Sequence, residues 1–292
     1  LLLVRFCAGV ISGLLMSIAI LAIGKSDLPD SNFAYMLVVS VAIATAVSFV
    51  MPRLVEQVGY EAVYLSLSAL AFIIFFPASL MNDGETEKSP STLDVMPDTV
   101  RKKPKVSIKW PLLAICALFF EGASAGVLFS YLGSIGRSGG LSEIQIGNTI
   151  AIASVAGFAA SIISAVIGVK FGRVKTILGS VALFLISIFM IPQGAPLWLF
   201  TLGVSTFWFA SALTLIYYLG TISIIDRTGR FLAIVPGVKM LGFGAGPFIA
   251  ALLINDLGLY VAHAIALITL IISIILIIIA VIKSGQAPGA LV

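Results

Sequence analysis

Charge is scarce in this chain. Only 10% of its 292 residues are charged, thirteen acidic and seventeen basic, against about 25% in a soluble globular domain. With 60% hydrophobic residues, a water-soluble fold would have no surface to offer. Cysteine is nearly missing too. Cys7 and Cys116 both lie in apolar stretches, where a cysteine behaves as a small buried hydrophobe, and two such residues make no disulfide framework. One histidine cannot write a His-Glu-x-x-His zinc site, the two cysteines are too far apart for Cys-x-x-Cys, and a complete P-loop is absent. Hydrolytic and redox chemistry have few candidate groups, so the expectation is a protein that is not an enzyme and binds neither metal nor cofactor.

What is present is a succession of apolar stretches at about 1–23, 33–51, 60–81, 110–133, 147–169, 175–191, 197–225, 231–254 and 257–282. Each approaches the roughly 20 residues that cross a ~30 Å hydrocarbon core. Turn or charge signals bound them, such as Gly24-Lys25-Ser26-Asp27, Pro192-Gln193-Gly194 and Asn255-Asp256. The spacing predicts an all-α polytopic membrane protein of nine spans. Residues 83–109 carry three prolines and the run Arg101-Lys102-Lys103-Pro104-Lys105 and read as a polar linker. The opening Leu1-Leu2-Leu3-Val4 has no initiating Met and no charged n-region, so it reads as a chain cut inside a helix rather than a signal peptide.

The net charge of +4 is topological and implies no nucleic-acid partner, because the basic residues sit in short loops. Positive side chains near span ends stay in the cytoplasm. If the linker is cytoplasmic, alternation puts Lys25, Lys88, Arg101, Lys102, Lys103, Lys105, Lys109, Lys170, Arg173, Lys175, Arg227, Arg230 and Lys283 inside. Only Arg5, Arg53 and Arg137 fall outside, and Lys239 lies within a span. The first residue is then outside and the C-terminus cytoplasmic, in the plasma (inner) membrane.

Three spans, a long basic loop and six more spans resemble a transporter of the major facilitator superfamily that lacks its first three of twelve helices. Arg5-Phe6-Cys7-Ala8-Gly9, followed by Gly13, resembles the family's fourth-helix motif. The run from Gly140-Leu141-Ser142 to Ile146-Gly147, and the turn Lys170-Phe171-Gly172-Arg173 after the next span, look like the approach to the eighth helix and the basic turn beyond it. Val169 stands where the family's turn usually has aspartate. Asp27-Leu28-Pro29-Asp30 is echoed six spans later by Asp226-Arg227-Thr228-Gly229-Arg230, as internal repetition of two six-helix halves requires. The segment from Pro236-Gly237-Val238-Lys239 to Gly242-Phe243-Gly244-Ala245-Gly246-Pro247 is similar to the family's eleventh helix.

The resemblance implies a partial N-terminal bundle at 1–82, a cytoplasmic linker at 83–109, a C-terminal six-helix bundle at 110–283 and a cytoplasmic tail at 284–292. It also implies a monomer in the lipid bilayer that moves a small-molecule solute by alternating access, with a proton or other coupling ion. Half of the N-terminal bundle cannot close a cavity, so this stretch alone is expected to be inactive. The competing class is a membrane-embedded enzyme or assembly subunit with nine native spans.

Glu121 is the one acidic residue well inside an apolar span, and Lys239 is its basic counterpart. At ~1.5 Å per residue both lie roughly 14–18 Å from the same face, near the midplane. A charge at a helix centre costs about 2.5–3.5 kcal/mol on insertion scales, so each must face protein or water. They are expected to share a polar cavity, with Glu121 as proton-coupling carboxylate and Lys239 as counter-ion or anion binder. The alternative is a static pair joining two helices. In relatives the arginine matching Arg5 faces the cavity or couples protons, while the plain reading is a snorkelling interfacial group. His263 reads as a packed group before a proton relay. Phe207, Trp208, Phe209, Tyr217 and Tyr218 lie in a span matching the cavity-lining tenth helix, with Trp208 and Tyr217 as candidates for stacking on a solute. Gly242, Gly244 and Gly246 are expected to serve helix packing or bending.

Overall fold

The computed structural model describes residues 2–24, 28–59, 108–168, 172–226 and 229–284, with the single positions 61, 65, 68, 69, 72 and 170. The described elements are all helices: α1 (Leu2–Gly24), α2 (Pro29–Val58), α3 (Lys109–Ser138), α4 (Glu143–Ile167), α5 (Arg173–Met190), α6 (Leu197–Ile225), α7 (Arg230–Leu257) and α8 (Tyr260–Lys283). Among the described residues α3 to α8 are each long and apolar enough to cross a membrane. The protein is an all-helical, membrane-embedded chain. Most of the expected third span, the linker as far as residue 107 and the tail from residue 285 lie outside the described residues.

The chain divides into two compact units, one comprising Leu1–Val41 with Ser107–Val292 and the other Ala42–Val106. In the first unit, connections of a few residues join α3 to α8 in an up-and-down order. Their local chemistry sets the turns. Ser142 and Gln145 form a reciprocal capping box that starts α4, satisfying two N-terminal N–H groups. At the head of α7, Gly229 adopts φ 72°, open to glycine without strain, while the Asp226 carboxylate accepts from Phe231 N (2.7 Å) and Leu232 N (2.9 Å).

α3 is the central helix. It packs along α7 and α8 and touches α6, and it buries every residue from Glu121 to Leu128, as a helix enclosed on all sides must. α6 packs on α4 and α5, and α1 lies on α7. α7 buries a narrower stripe, Leu232, Val235, Gly242, Gly246 and Ala250. With helical spacing of three or four residues, Lys239 falls on that stripe.

Candidate functional site

The site begins with a close helix crossing. α3 carries Gly122 and Gly126, and α7 carries Gly242 and Gly246, each pair four residues apart. A Cβ on Gly126 would overlap Phe243 O, one on Gly242 would overlap Phe119 O, and one on Gly246 would overlap Ala123 O. The hydrogens standing in place of those Cβ atoms therefore point at carbonyl oxygens, the reciprocal Cα–H···O geometry of small-residue membrane crossings. Pro247 strengthens the match. It has no N–H for the carbonyl four residues earlier, and that carbonyl, Phe243 O, is the one facing Gly126. Gly244 has open space around it. Gly242 and Gly246 are thus packing positions, and Gly244 lies off the contact.

At this crossing the Lys239 ammonium donates to Glu121 Oε2. The two charges expected at one depth are in direct contact. The Glu121 side chain is wholly buried, whereas that of Lys239 keeps 13% of its surface. Glu121 Oε1 has no hydrogen-bond partner among the described residues. An unmet acceptor on a buried carboxylate is among the more destabilising features a helix interior can hold.

Two hydroxyls nearby are committed to each other and to the backbone. Ser273 Oγ donates to Ala117 O (2.7 Å), so Tyr218 Oη, 3.0 Å from Ser273 Oγ, is the donor in that contact. Tyr218 lies within electrostatic reach of Glu121. Tyr217 lies elsewhere: it donates to Gly168 O at 3.2 Å, close to Asp30 and Arg173. Nine residues separate Tyr217 from Trp208, half a helical turn in phase, so the two proposed rings look in opposite directions. Trp208 joins an aromatic cluster with Phe129 (5.5 Å) and Phe207 (5.5 Å, stacked), and Phe129 also meets Phe243 (5.7 Å). Phe129 lies two turns beyond Glu121 on α3, and Phe243 one turn beyond Lys239 on α7, so the cluster sits above the ion pair. Trp208 Nε1 is buried and has no partner among the described residues.

Arg5 belongs to α1, and its side chain lies outside the described residues. His263 Nε2 approaches Ile191 O at 2.6 Å; a carbonyl only accepts, so Nε2 carries the proton and the ring anchors α8 to the loop after α5. That geometry matches the packed reading. Gly122-Ala123-Ser124-Ala125-Gly126 has the Gly-x-Ser-x-Gly spacing of a hydrolase nucleophile turn, a pattern sequence reasoning missed. Here it lies inside α3, and the buried Ser124 donates to Ala266 O at 2.8 Å, joining α3 to α8.

A second buried ion pair went unforeseen. Arg173, the first residue of α5, makes a two-pronged contact with Asp30 in the first turn of α2: Nη1 to Oδ1 at 2.8 Å and Nη2 to Oδ2 at 2.5 Å. Both side chains are buried, 3% and 8% exposed. Nη1 also reaches Thr221 Oγ1 at 3.5 Å. Gly220 makes the room, since a Cβ there would overlap Asp30 Oδ1. Arg173's partner is thus a carboxylate 143 residues away in sequence.

No model of a protein family matches the chain, and no curated protein matches it either. The functional reading therefore rests on this geometry.

Proposed function

We propose that the protein is a secondary active transporter of a small solute, working by alternating access in the manner of the major facilitator superfamily and coupled to protons through Glu121. The single observation that carries the reading is the buried Glu121–Lys239 pair on the crossing of α3 and α7. Intramembrane ionisable groups mark substrate and ion pathways, and transporter sites lie near the midplane between helical repeats. In this reading α3 to α8 form the C-terminal bundle, the loops rich in lysine and arginine face the cytoplasm, and Arg5 belongs to the other half of the site.

The Asp30–Arg173 contact supports the same reading. It ties the first turn of α2 to the start of α5, at the end where Lys109, Arg230 and Lys283 lie, and Ser31 Oγ reaches Ala165 O there at 3.5 Å. A charged clasp between segments so far apart in sequence holds one of two alternating conformations.

The test is pH-gradient-driven uptake by the full-length protein in proteoliposomes, with the solute found by thermal stabilisation against a small-molecule panel, since a ligand of the folded state raises stability by RT ln(1 + [L]/Kd). Glu121→Gln should abolish the dependence on the gradient while exchange of solute across the membrane persists. Unchanged gradient dependence would remove Glu121 from the coupling step.

A second reading is favoured by the glycine contacts: the pair sits where the two backbones touch and serves only to lock them together. In that case Glu121→Gln with Lys239→Gln lowers stability and leaves transport coupling intact.

A further inference from the structure

The same pair constrains what the solute is, if the coupling role of Glu121 holds. In the observed state it is neutral, a carboxylate against an ammonium. Protonation of Glu121 makes the carboxyl neutral and leaves Lys239 as an uncompensated cation in a low-dielectric helix interior, which is strongly disfavoured unless an anion joins it. Two neutral states then exist: the empty site with its ion pair, and the loaded site holding a carboxylic acid, an ammonium and one anion.

A cation exchanged against the Lys239 proton would also preserve neutrality, but the exposures argue against it. Glu121 is wholly buried and Lys239 is the partly exposed member, so an arriving solute meets the ammonium first. The unpartnered Oε1 is buried, so a solute cannot touch it without displacing protein.

We propose that the solute is a small organic anion, bound at the Lys239 ammonium and carried with one proton taken by Glu121, so that each transport cycle moves no net charge. The titratable and charged groups around Glu121 leave this assignment intact. α7 brings Lys239; α6 brings Tyr218, whose hydroxyl is committed to Ser273 on α8. α8 also carries His263, held on Ile191 O, and Lys283 at its last turn. α4 brings Glu143, paired with Arg137 at the far end of α3. Phe129 and Phe243, one to two turns along the same two helices, with Trp208 of α6 against Phe129, offer an apolar wall to the body of such an anion.

The probes are acetate, L-lactate and benzoate, each beside its amide, which keeps shape and removes charge. Binding is read as thermal stabilisation of the full-length protein between pH 5.5 and 7.5. At least one carboxylate should bind more tightly than its amide by tenfold or more, with affinity rising about tenfold per unit fall in pH, as one co-bound proton requires. Glu121→Gln should keep carboxylate binding and flatten its pH dependence. Lys239→Gln should remove the preference for carboxylate over amide, with the double variant showing that the fold tolerates both changes. Proton entry is then followed with a trapped pH dye in proteoliposomes clamped at two membrane potentials. Carboxylate-driven acidification above that of protein-free vesicles, equal at both potentials, is the expected result.

Amides that bind or drive proton entry as well as the acids would overturn the anion assignment and leave the transporter reading standing. Dependence on membrane potential would overturn the one-to-one stoichiometry. Carboxylate binding without any proton flux would keep the anion site and sink the transporter reading.

Discussion

Two buried ion pairs in one compact unit are built to opposite specifications. In Asp30–Arg173 the planar guanidinium grips both carboxylate oxygens, the geometry that makes arginine the residue for fixed ion pairs. Asp30 also sits in the first turn of α2, where the helix dipole favours an anion, and it offsets the unfavourable placement of a cation at the start of α5. In Glu121–Lys239 a flexible ammonium holds one oxygen of a carboxylate and leaves the other unmet. The first arrangement joins segments far apart in sequence, and the second joins two helices at their close crossing. Each pair keeps one unmet buried polar atom, Arg173 Nε in the first and Glu121 Oε1 in the second, so the difference lies in the grip itself, two-pronged in one and single in the other.

The largest expected effect comes from stranding the deeper carboxylate. Lys239→Met leaves Glu121 charged, enclosed and unpaired, a loss of about 3–5 kcal/mol that should appear as a clear drop in the thermal midpoint in detergent. Adding Glu121→Gln should restore most of it, because the amide carries no charge to desolvate. Arg173→Met should be milder, since a helix N-terminus still stabilises Asp30 by up to ~2 kcal/mol. Equal losses from the two single variants would erase the distinction drawn between the pairs.

Glycine substitutions sharpen the same comparison. Gly242→Ala pushes a methyl group into the backbone carbonyl of Phe119 beside the Lys239 pair, and a backbone cannot swing away. A loss at or above the ~1–3 kcal/mol typical of overpacking is expected. Gly220→Ala meets the end of the Asp30 side chain, which can shift, so its global effect should be smaller and should show as loosened contact between α2 and α5. Cysteine cross-linking between those helices measures it. Gly244→Ala, with open space around the site, should be neutral or stabilise by a few tenths up to ~1 kcal/mol through helix propensity. An equal penalty at Gly242 and Gly244 would remove the crossing from the explanation.

How much of this was legible in the sequence depends on whether a signal is local. The six spans from residue 109 onward were readable because apolar length is a local property. Glu121 and Lys239 stood out because each is an isolated charge in an oily stretch, and counting residues from the helix starts put them at equal depth. Their contact needed the packing of α3 on α7, for which Gly122-x-x-x-Gly126 and Gly242-x-x-x-Gly246 were the available signals. Arg173 looked like one more basic loop residue. Only the fold brings it to Asp30, although an arginine at the first position of a helix, against the dipole, was a hint that an acid had to be near. Trp208 and Tyr217 were named because their span matches a cavity-lining helix, but nine residues of helix set the two rings half a turn apart.

A third ion pair sets the lower limit of the scale. Arg137 and Glu143 meet at 2.9 Å, beside 2.8 Å for the Arg173 Nη1–Asp30 Oδ1 contact, but their side chains are 56% and 72% exposed. Water screens the attraction and both side chains give up freedom to meet, so exposed pairs are worth about 0.2–1 kcal/mol. Arg137→Gln should therefore move the thermal midpoint least of all the variants, and what change there is should vanish in high salt. A salt-insensitive loss comparable to that of Arg173→Met would mean that distance rather than desolvation ranks the three pairs. The ranking of the three pairs by burial would then lose its physical basis.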